Sequence, residues 1–283
     1  MSRFMSSPDS PFANFSEDER AELGWHFQSW MVSQFLHGEQ GALVATARLV
    51  ETVPDIDSKY YAANQVADEA RHVEAYAKYL NEKLGDSYPI STPLEALLRD
   101  IMTEKRWDIT YLGMQIMVEG LALAAFGFMH MLTTEPLLKQ LLRYVMSDEA
   151  RHVAFGVLSL KEYYESLSAP EIRERQEFAY EAAVRLRERF MVRDVWERLG
   201  ADPDAVARFL NENPDPGQQV FQNMLFSKIV PNCKKLGLLD AGDGWLRERF
   251  TDLGVIEFED WTDTTEEYGT LDAVAADAAG ASE

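Results

Sequence analysis

Followed in steps of three and four residues, apolar positions line up along four stretches of this chain, and every row is interrupted by a carboxylate. Ser16-Glu17-Asp18-Glu19 has the capping-box pattern and predicts a first long helix to about Val50, with Phe27, Met31, Phe35, Glu39, Ala42, Thr46 and Leu49 facing inward. After Val53-Pro54-Asp55 a second helix is expected from about Ser58 to Lys83, its inward row reading Ala62, Val66, Glu69, Val73, Tyr76 and Leu80, with His72 beside it. The loop Gly85 to Pro93 ends it with two prolines and a glycine. A third helical region begins near Leu94, bends around Thr103 to Asp108, and then carries Leu112, Ile116, Glu119, Leu123, Phe126 and His130 on one face. Beyond Thr133-Thr134-Glu135-Pro136 the fourth shows Leu138, Leu142, Val145, Glu149, Val153, Gly156 and Leu160 in register, flanked by His152. Four acids thus fall in core register, where an unpaired carboxylate must lose its charge or find partners.

Further along, Ser168-Ala169-Pro170-Glu171 combines a capping box with an early proline and predicts a charged amphipathic helix to about Leu199. Asp202-Pro203 and Asp215-Pro216 read as helix starts for segments holding Phe209, Val220, Phe221, Leu225 and Ile229. No strand-period run of useful length occurs, so the expected fold class is all-α. Residues 1–15 are expected to be a disordered lead-in. Residues 16–260 form a single helical domain, with a four-helix core over 16–165 and accessory helices over 168–255, and 261–283 are an acidic, Ala-rich tail that follows a docked segment. The most membrane-like stretch, Leu112 to Leu132, contains Glu119 and is read as a helix buried on all sides rather than as a bilayer span.

At 283 residues the chain is long enough to bury a substantial core. Its 27 Lys and Arg against 48 Asp and Glu give a formal net charge of −21, which opposes binding to nucleic acid or an anionic membrane. A single cysteine, Cys233, excludes an intramolecular disulfide and a cysteine-based metal cluster, and fits a reducing compartment, so a cytoplasmic location is expected.

The chemistry lies in a repeat. Asp68-Glu69-Ala70-Arg71-His72-Val73 recurs as Asp148-Glu149-Ala150-Arg151-His152-Val153, and the same offset superposes Glu39 on Glu119. On a helix, a Glu and a His three residues apart are about 4.5 Å apart along the axis and about 60° apart around it, so both can reach one ion. Each half of the core is then a helix with one inward Glu followed by a helix with Glu-x-x-His. Glu39, Glu69, His72, Glu119, Glu149 and His152 are what a helical bundle needs to hold two metal ions, whose charge would offset four mutually repelling carboxylates. Asp68 and Asp148 could each accept a hydrogen bond from the non-coordinating nitrogen of a ligand histidine on the opposite motif helix, with Arg71 and Arg151 pairing to them at the rim. His37 and His130 fall outside this ligand set.

Over roughly Ser16 to Glu165 the chain resembles the ferritin-like superfamily of dimetal carboxylate proteins, whose six-ligand pattern these residues match one for one. Met117-Val118-Glu119-Gly120 and the Asp-Glu-x-Arg-His-x-Ala-Phe-Gly run around Glu149 look most like the radical subunit of class I ribonucleotide reductase, its ligand-binding oxidase relatives and aminobenzoate-oxygenase-like proteins. The resemblance implies a ferritin-like four-helix bundle with additional C-terminal helices, two iron ions or a manganese–iron pair, and dioxygen as co-substrate. An electron-donating reductase is expected as partner, and the apolar residues beside Glu119, among them Gly120, Leu123, Ala124 and Phe126, favour a small, hydrophobic organic substrate that is hydroxylated, desaturated or N-oxygenated; a homodimer is open.

Tyr76 stands seven residues after Glu69, the spacing of the reductase subunit's radical tyrosine, and is the redox candidate. Two features depart from that subunit: Glu39 stands where it usually has Asp, and the small-residue tail from Ala273 lacks a large apolar anchor. Arylamine N-oxygenases carry a further histidine where this chain has Val145, and the ligand-binding oxidases' crosslink positions are Met114 and Ala42 here. Leu123, Phe126 and Val145 are the candidate substrate-pocket residues. The remaining alternatives are a radical-generating subunit and a non-catalytic iron-binding protein.

Overall fold

Ser16 accepts a hydrogen bond from the Glu19 backbone N–H, and the Glu19 carboxylate accepts one from the Ser16 N–H at 2.8 Å. This reciprocal cap opens helix α1, Glu17–Thr52, as expected from the sequence. In the computed structural model, residues 10–13, 15–188, 192–213 and 221–261 are described, and no strand occurs among them.

Asp55 caps helix α2, Ile56–Tyr79, by accepting from the Ser58 N–H. A π-helical turn, Leu80–Leu84, carries α2 to Gly85, whose φ of 68° is a conformation glycine takes without a Cβ clash and which terminates the helix. Helix α3 is Thr92–Thr103. The expected bend falls at residues 104–106, after which helix α4 runs Trp107–Leu132 with a π-helical stretch at Leu112–Val118. Helix α5, Pro136–Glu165, is capped by Glu135.

Helix α1 folds back along α2, and α4 along α5, so the core is two helical hairpins that meet through α1 with α4 and α2 with α5. Helix α4 is the one described helix long and apolar enough to cross a membrane, but 72% of its most apolar window is buried inside the fold. Its surroundings explain that composition. Helices α3 and α6 (Ala169–Glu188) close on it so tightly that a Cβ at Gly113 would come within 2.7 Å of Ile101 and 2.9 Å of Phe178. The buried Arg175 of α6 donates to Asp108 of α4 at 2.9 Å, tying the accessory layer to the core through a charge pair.

Three expectations are corrected. The helix predicted from Ser168 to Leu199 is two: α6 and then α7, Arg193–Arg198, separated by Val192 in a left-handed conformation at φ 50°. The lead-in is part of the fold at residues 10–13 and 15: Phe12 is fully buried, with its ring 5.0 Å from Trp196 of α7 and 5.1 Å from Phe15. Val66 and Val73 lie only half-buried on α2, whose buried row is Ala62, Gln65, Glu69, His72, Tyr76 and Tyr79. The two rows share Ala62, Glu69 and Tyr76, but Gln65 and His72 take the inward places expected for Val66 and Val73, because a polar centre, not apolar packing, sets which face of α2 turns inward there.

Helices α8 (Pro203–Glu212), α9 (Ile229–Lys235) and α10 (Trp245–Asp252) complete the described chain. Asp202 opens α8 as expected, whereas Asp215-Pro216, Val220 and the tail beyond Trp261 lie outside the described residues. Phe258 docks the preceding segment onto the core.

Candidate metal centre

Helices α1, α2, α4 and α5 each contribute to one polar cluster in the middle of the apolar core. Glu39 comes from α1, Glu69 and His72 from α2, Glu119 from α4, and Glu149 and His152 from α5; all six are buried. They form two groups, Glu39, Glu69, His72 and Glu149, and Glu69, Glu119, Glu149 and His152, each with one ligand atom per residue within 4.8 Å of the others. Glu69 and Glu149 belong to both groups. Two four-residue clusters that share two carboxylates are consistent with a dimetal carboxylate site.

The histidines point their Nδ1 atoms into the cluster. His72 Nδ1 lies 2.9 Å from Glu149, 3.3 Å from Glu39 and 3.7 Å from Glu69; His152 Nδ1 lies 3.2 Å from Glu69 and 3.3 Å from Glu149. Their Nε2 atoms point outward to the aspartates of the opposite motif helix, His72 to Asp148 at 3.2 Å and His152 to Asp68 at 3.3 Å. An aspartate accepting from Nε2–H fixes the tautomer that leaves Nδ1 free to coordinate. Arg71 pairs with Asp68 and Arg151 with Asp148, so each aspartate joins a histidine of the opposite helix to an arginine of its own.

Two residues that the apolar-row reading passes over join the centre. Gln65, four residues before Glu69, donates through Nε2 to Glu69 at 2.9 Å and to Glu119 at 3.1 Å; Gln115 donates to the Gln65 carbonyl oxygen at 3.2 Å. Both amides are buried. Gln65 shares a helix face with Glu69 by spacing alone, which was the available signal; Gln115 sits in the π-helical stretch, where a 3.6-residue period misplaces side chains.

The electrostatics are those of too many carboxylates in too little space. Burial, followed by repulsion from Glu149, holds the Glu39 carboxyl well above its ordinary range, and burial with repulsion from Glu149 and Glu69 does the same to Glu119. For Glu69, burial acts upward but is outweighed by hydrogen bonds from His152 and His72, which hold it low. Burial acts to lower His72 and His152, yet their carboxylate partners raise both. Glu69 Oε2, Glu119 Oε2 and Glu149 Oε1 are buried without a hydrogen-bond partner in bonding geometry. Oxygens left in that state are costly in a protein interior, and cations bound among them would satisfy all three. The residues present therefore fit metal ions.

Tyr76 is fully buried, its ring 5.9 Å from Phe35 and 6.0 Å from Phe126, and its hydroxyl has no hydrogen-bond partner. Burial raises its pKa well above the ordinary value, with Glu39 adding to the effect. A cavity of about 30 Å³ lies between α1 and α4 against Glu39, Glu119 and Glu149, walled by Phe35, Ala42, Met114, Val118, Ala122 and Phe126 among others. Of the three residues expected in a pocket, Phe126 lines this cavity; Leu123 and Val145 are buried but do not. The cavity follows the row of α4 that runs Met114, Val118, Ala122 and Phe126 in steps of four, and Leu123 lies on the next row. His37 is engaged elsewhere, with Nε2 2.9 Å from the Tyr88 carbonyl oxygen.

Compared with known proteins, the chain matches no family model and no curated protein.

Proposed function

We propose that the chain is a ferritin-like dimetal carboxylate oxidoreductase that uses two iron ions, or a manganese and an iron, to activate dioxygen and oxidise a small hydrophobic organic molecule. The observation that carries this reading is the sharing of Glu69 and Glu149 between two four-residue ligand groups. When bound, paired redox metals supply the electrons and the Lewis acidity that dioxygen chemistry needs. The protein's own part is to hold four carboxylates and two oriented imidazoles together and to keep water out. Apolar side chains wall the cavity, which has room for about two water-sized molecules, enough for a diatomic gas beside Glu39 and Glu119. A larger substrate would have to displace side chains such as Phe126 or Ala122 to reach the same place. In this reading a reductase returns the electrons and the chain works in the cytoplasm, alone or as a homodimer.

The test is oxygen uptake after anaerobic loading with ferrous iron. Consumption of dioxygen in proportion to bound iron, lost in Glu39→Ala, supports the reading; iron bound in pairs with no oxygen uptake removes it in favour of a metal-holding protein.

A second reading has a specific observation behind it. Tyr76 is an unpartnered phenol caged by Phe35 and Phe126 and close enough to the cluster to feel the charge of Glu39, His72 and Glu149. Such a residue suits a protected tyrosyl radical serving a partner enzyme. A stable tyrosyl paramagnetic signal after oxygen exposure, absent in Tyr76→Phe, would favour that reading over direct oxygenation.

A further inference from the structure

The offset that superposes the six ligands fails at three neighbouring positions: Gln65 corresponds to Val145, Gln115 to Phe35, and Gly156 to Tyr76. These differences are matched in space. Phe35 and Tyr76 face each other with ring centroids 5.9 Å apart, whereas a Cβ on Gly156 would sit 2.7 Å from the Gln115 Cβ. Glycine thus makes room for an amide in one half where an aromatic pair fills the other.

The amide chain has only one workable polarity. Glu69 is held ionised and can only accept, so the Gln65 NH2 faces it and Glu119 beside it, the Gln65 side-chain oxygen faces Gln115, and Gln115 must donate to it. Gln65 therefore holds one oxygen of Glu119 and one of Glu69, and leaves Oε2 of each buried and unpartnered. Glu39, the counterpart of Glu119, is held differently: its Oε2 is 3.3 Å from His72 Nδ1, the nitrogen a cation would need. Both ligand histidines release a carboxylate to take an ion, His152 Nδ1 from Glu149 and His72 Nδ1 from Glu39, each at 3.3 Å; Glu119 keeps its Gln65 tether through that exchange, whereas the bond of Glu39 to His72 is the one that breaks.

We infer that the two metal positions are inequivalent and that Gln65 is the positioning residue that makes them so. The position of Glu69, Glu119, Glu149 and His152 is held ready and takes a divalent cation first. The Glu39 and His72 position, beside Phe35 and Tyr76, fills second and exchanges faster. This inference rests on the dimetal reading and adds to it an order of loading, with the exchangeable ion on the Tyr76 side.

The test is anaerobic calorimetric titration of the metal-free full chain with Mn2+, a readout independent of activity. Wild type is expected to bind two ions in two steps whose affinities differ by about 10- to 100-fold, the span a second layer of hydrogen bonds commonly controls. Gln65→Met, which keeps length and loses the donor, should weaken the first step by about that factor, leave the second unchanged and so merge the two. If Gln65→Met does not fold, judged by its thermal transition, Gln65→Leu combined with Gln115→Leu removes the whole amide chain without stranding the Gln115 amide and should give the same merged titration. His152→Gln should abolish the tight step and His72→Gln the weak one. Two ions bound with equal affinity by wild type, an unchanged two-step titration in a folded Gln65 variant, or loss of the tight step with His72 would overturn the inference while leaving the dimetal reading standing. No bound ion in wild type would remove both.

Discussion

The imidazole of His72, on α2, donates through Nε2 to Asp148 on α5 at 3.2 Å, while its Nδ1 faces Glu149 at 2.9 Å. Each motif helix therefore supplies a Glu and a His to the buried cluster and the aspartate that orients the other helix's histidine. Asp148→Asn should weaken the metal position that uses His72, and Asp68→Asn the one that uses His152, each by about 10- to 100-fold in metal affinity. Metal titration of the two variants checks this; an effect of Asp148→Asn confined to the His152 position would contradict the crossed arrangement.

Tyr76→Phe removes a hydroxyl that is buried without a hydrogen-bond partner. Its loss should leave unfolding stability unchanged within about 1 kcal/mol or raise it slightly, because no bond is broken and a desolvated polar atom is gone. Denaturant unfolding of the metal-free proteins measures this. A clear loss of stability would mean that the hydroxyl has a partner, such as a bound water, and would weaken the case for a caged, redox-active phenol.

The sequence shows the centre more clearly than what surrounds it. Glu-x-x-His twice at one offset, with Glu39 and Glu119 following the same offset, picks out the six residues that the fold gathers into one buried cluster, because helical geometry ties a three-residue spacing to a shared face. Asp68 and Asp148 were legible for the same reason. Gln65 and Gln115 were not, since an uncharged amide in a helix reads as surface until something buried is known to need its donor. The apolar-row reading favoured Val66 and Val73 on α2, yet the buried face carries Gln65 and His72 one position earlier, where the polar centre overrides hydrophobic pattern. The π-helical Leu112–Val118 stretch and the left-handed Val192 are backbone choices with no side-chain signature, and they account for the missed Gln115 and the helix expected to run to Leu199.

Asp108 and Arg175 are both buried and joined at 2.9 Å. Removing Arg175 strands the Asp108 carboxylate in the core, so Arg175→Ala should cost about 3–5 kcal/mol of unfolding stability, whereas without Asp108 the guanidinium would still have Glu174 at 3.1 Å. Asp108→Leu combined with Arg175→Met should recover much of that loss, because both charges leave together. Chemical denaturation of wild type and the two variants measures it; equal losses in the single and double variants would show that the pair does not act as a unit.

Burial pushes the Cys233 thiol up to about 12 from a usual value of 9.0. The folded protein should therefore resist thiol-specific disulfide reagents at pH 8, and the thiol should react at once in denaturant. The sign for stability follows: between pH 9.0 and about 12 the unfolded chain ionises this thiol and the native one does not, so its contribution is complete below that window and is lost as pH rises through it. Rapid native labelling at pH 8 would contradict the burial of α9.

The central claim is that six residues hold two metal ions. Elemental analysis of protein reconstituted anaerobically with ferrous iron and freed of excess metal tests it most directly. Wild type should retain two ions per chain, and Glu69→Ala combined with Glu149→Ala, which removes both shared carboxylates, should retain almost none. Equal metal content in the two proteins, or a wild type that retains no stoichiometric iron or manganese, would contradict the account.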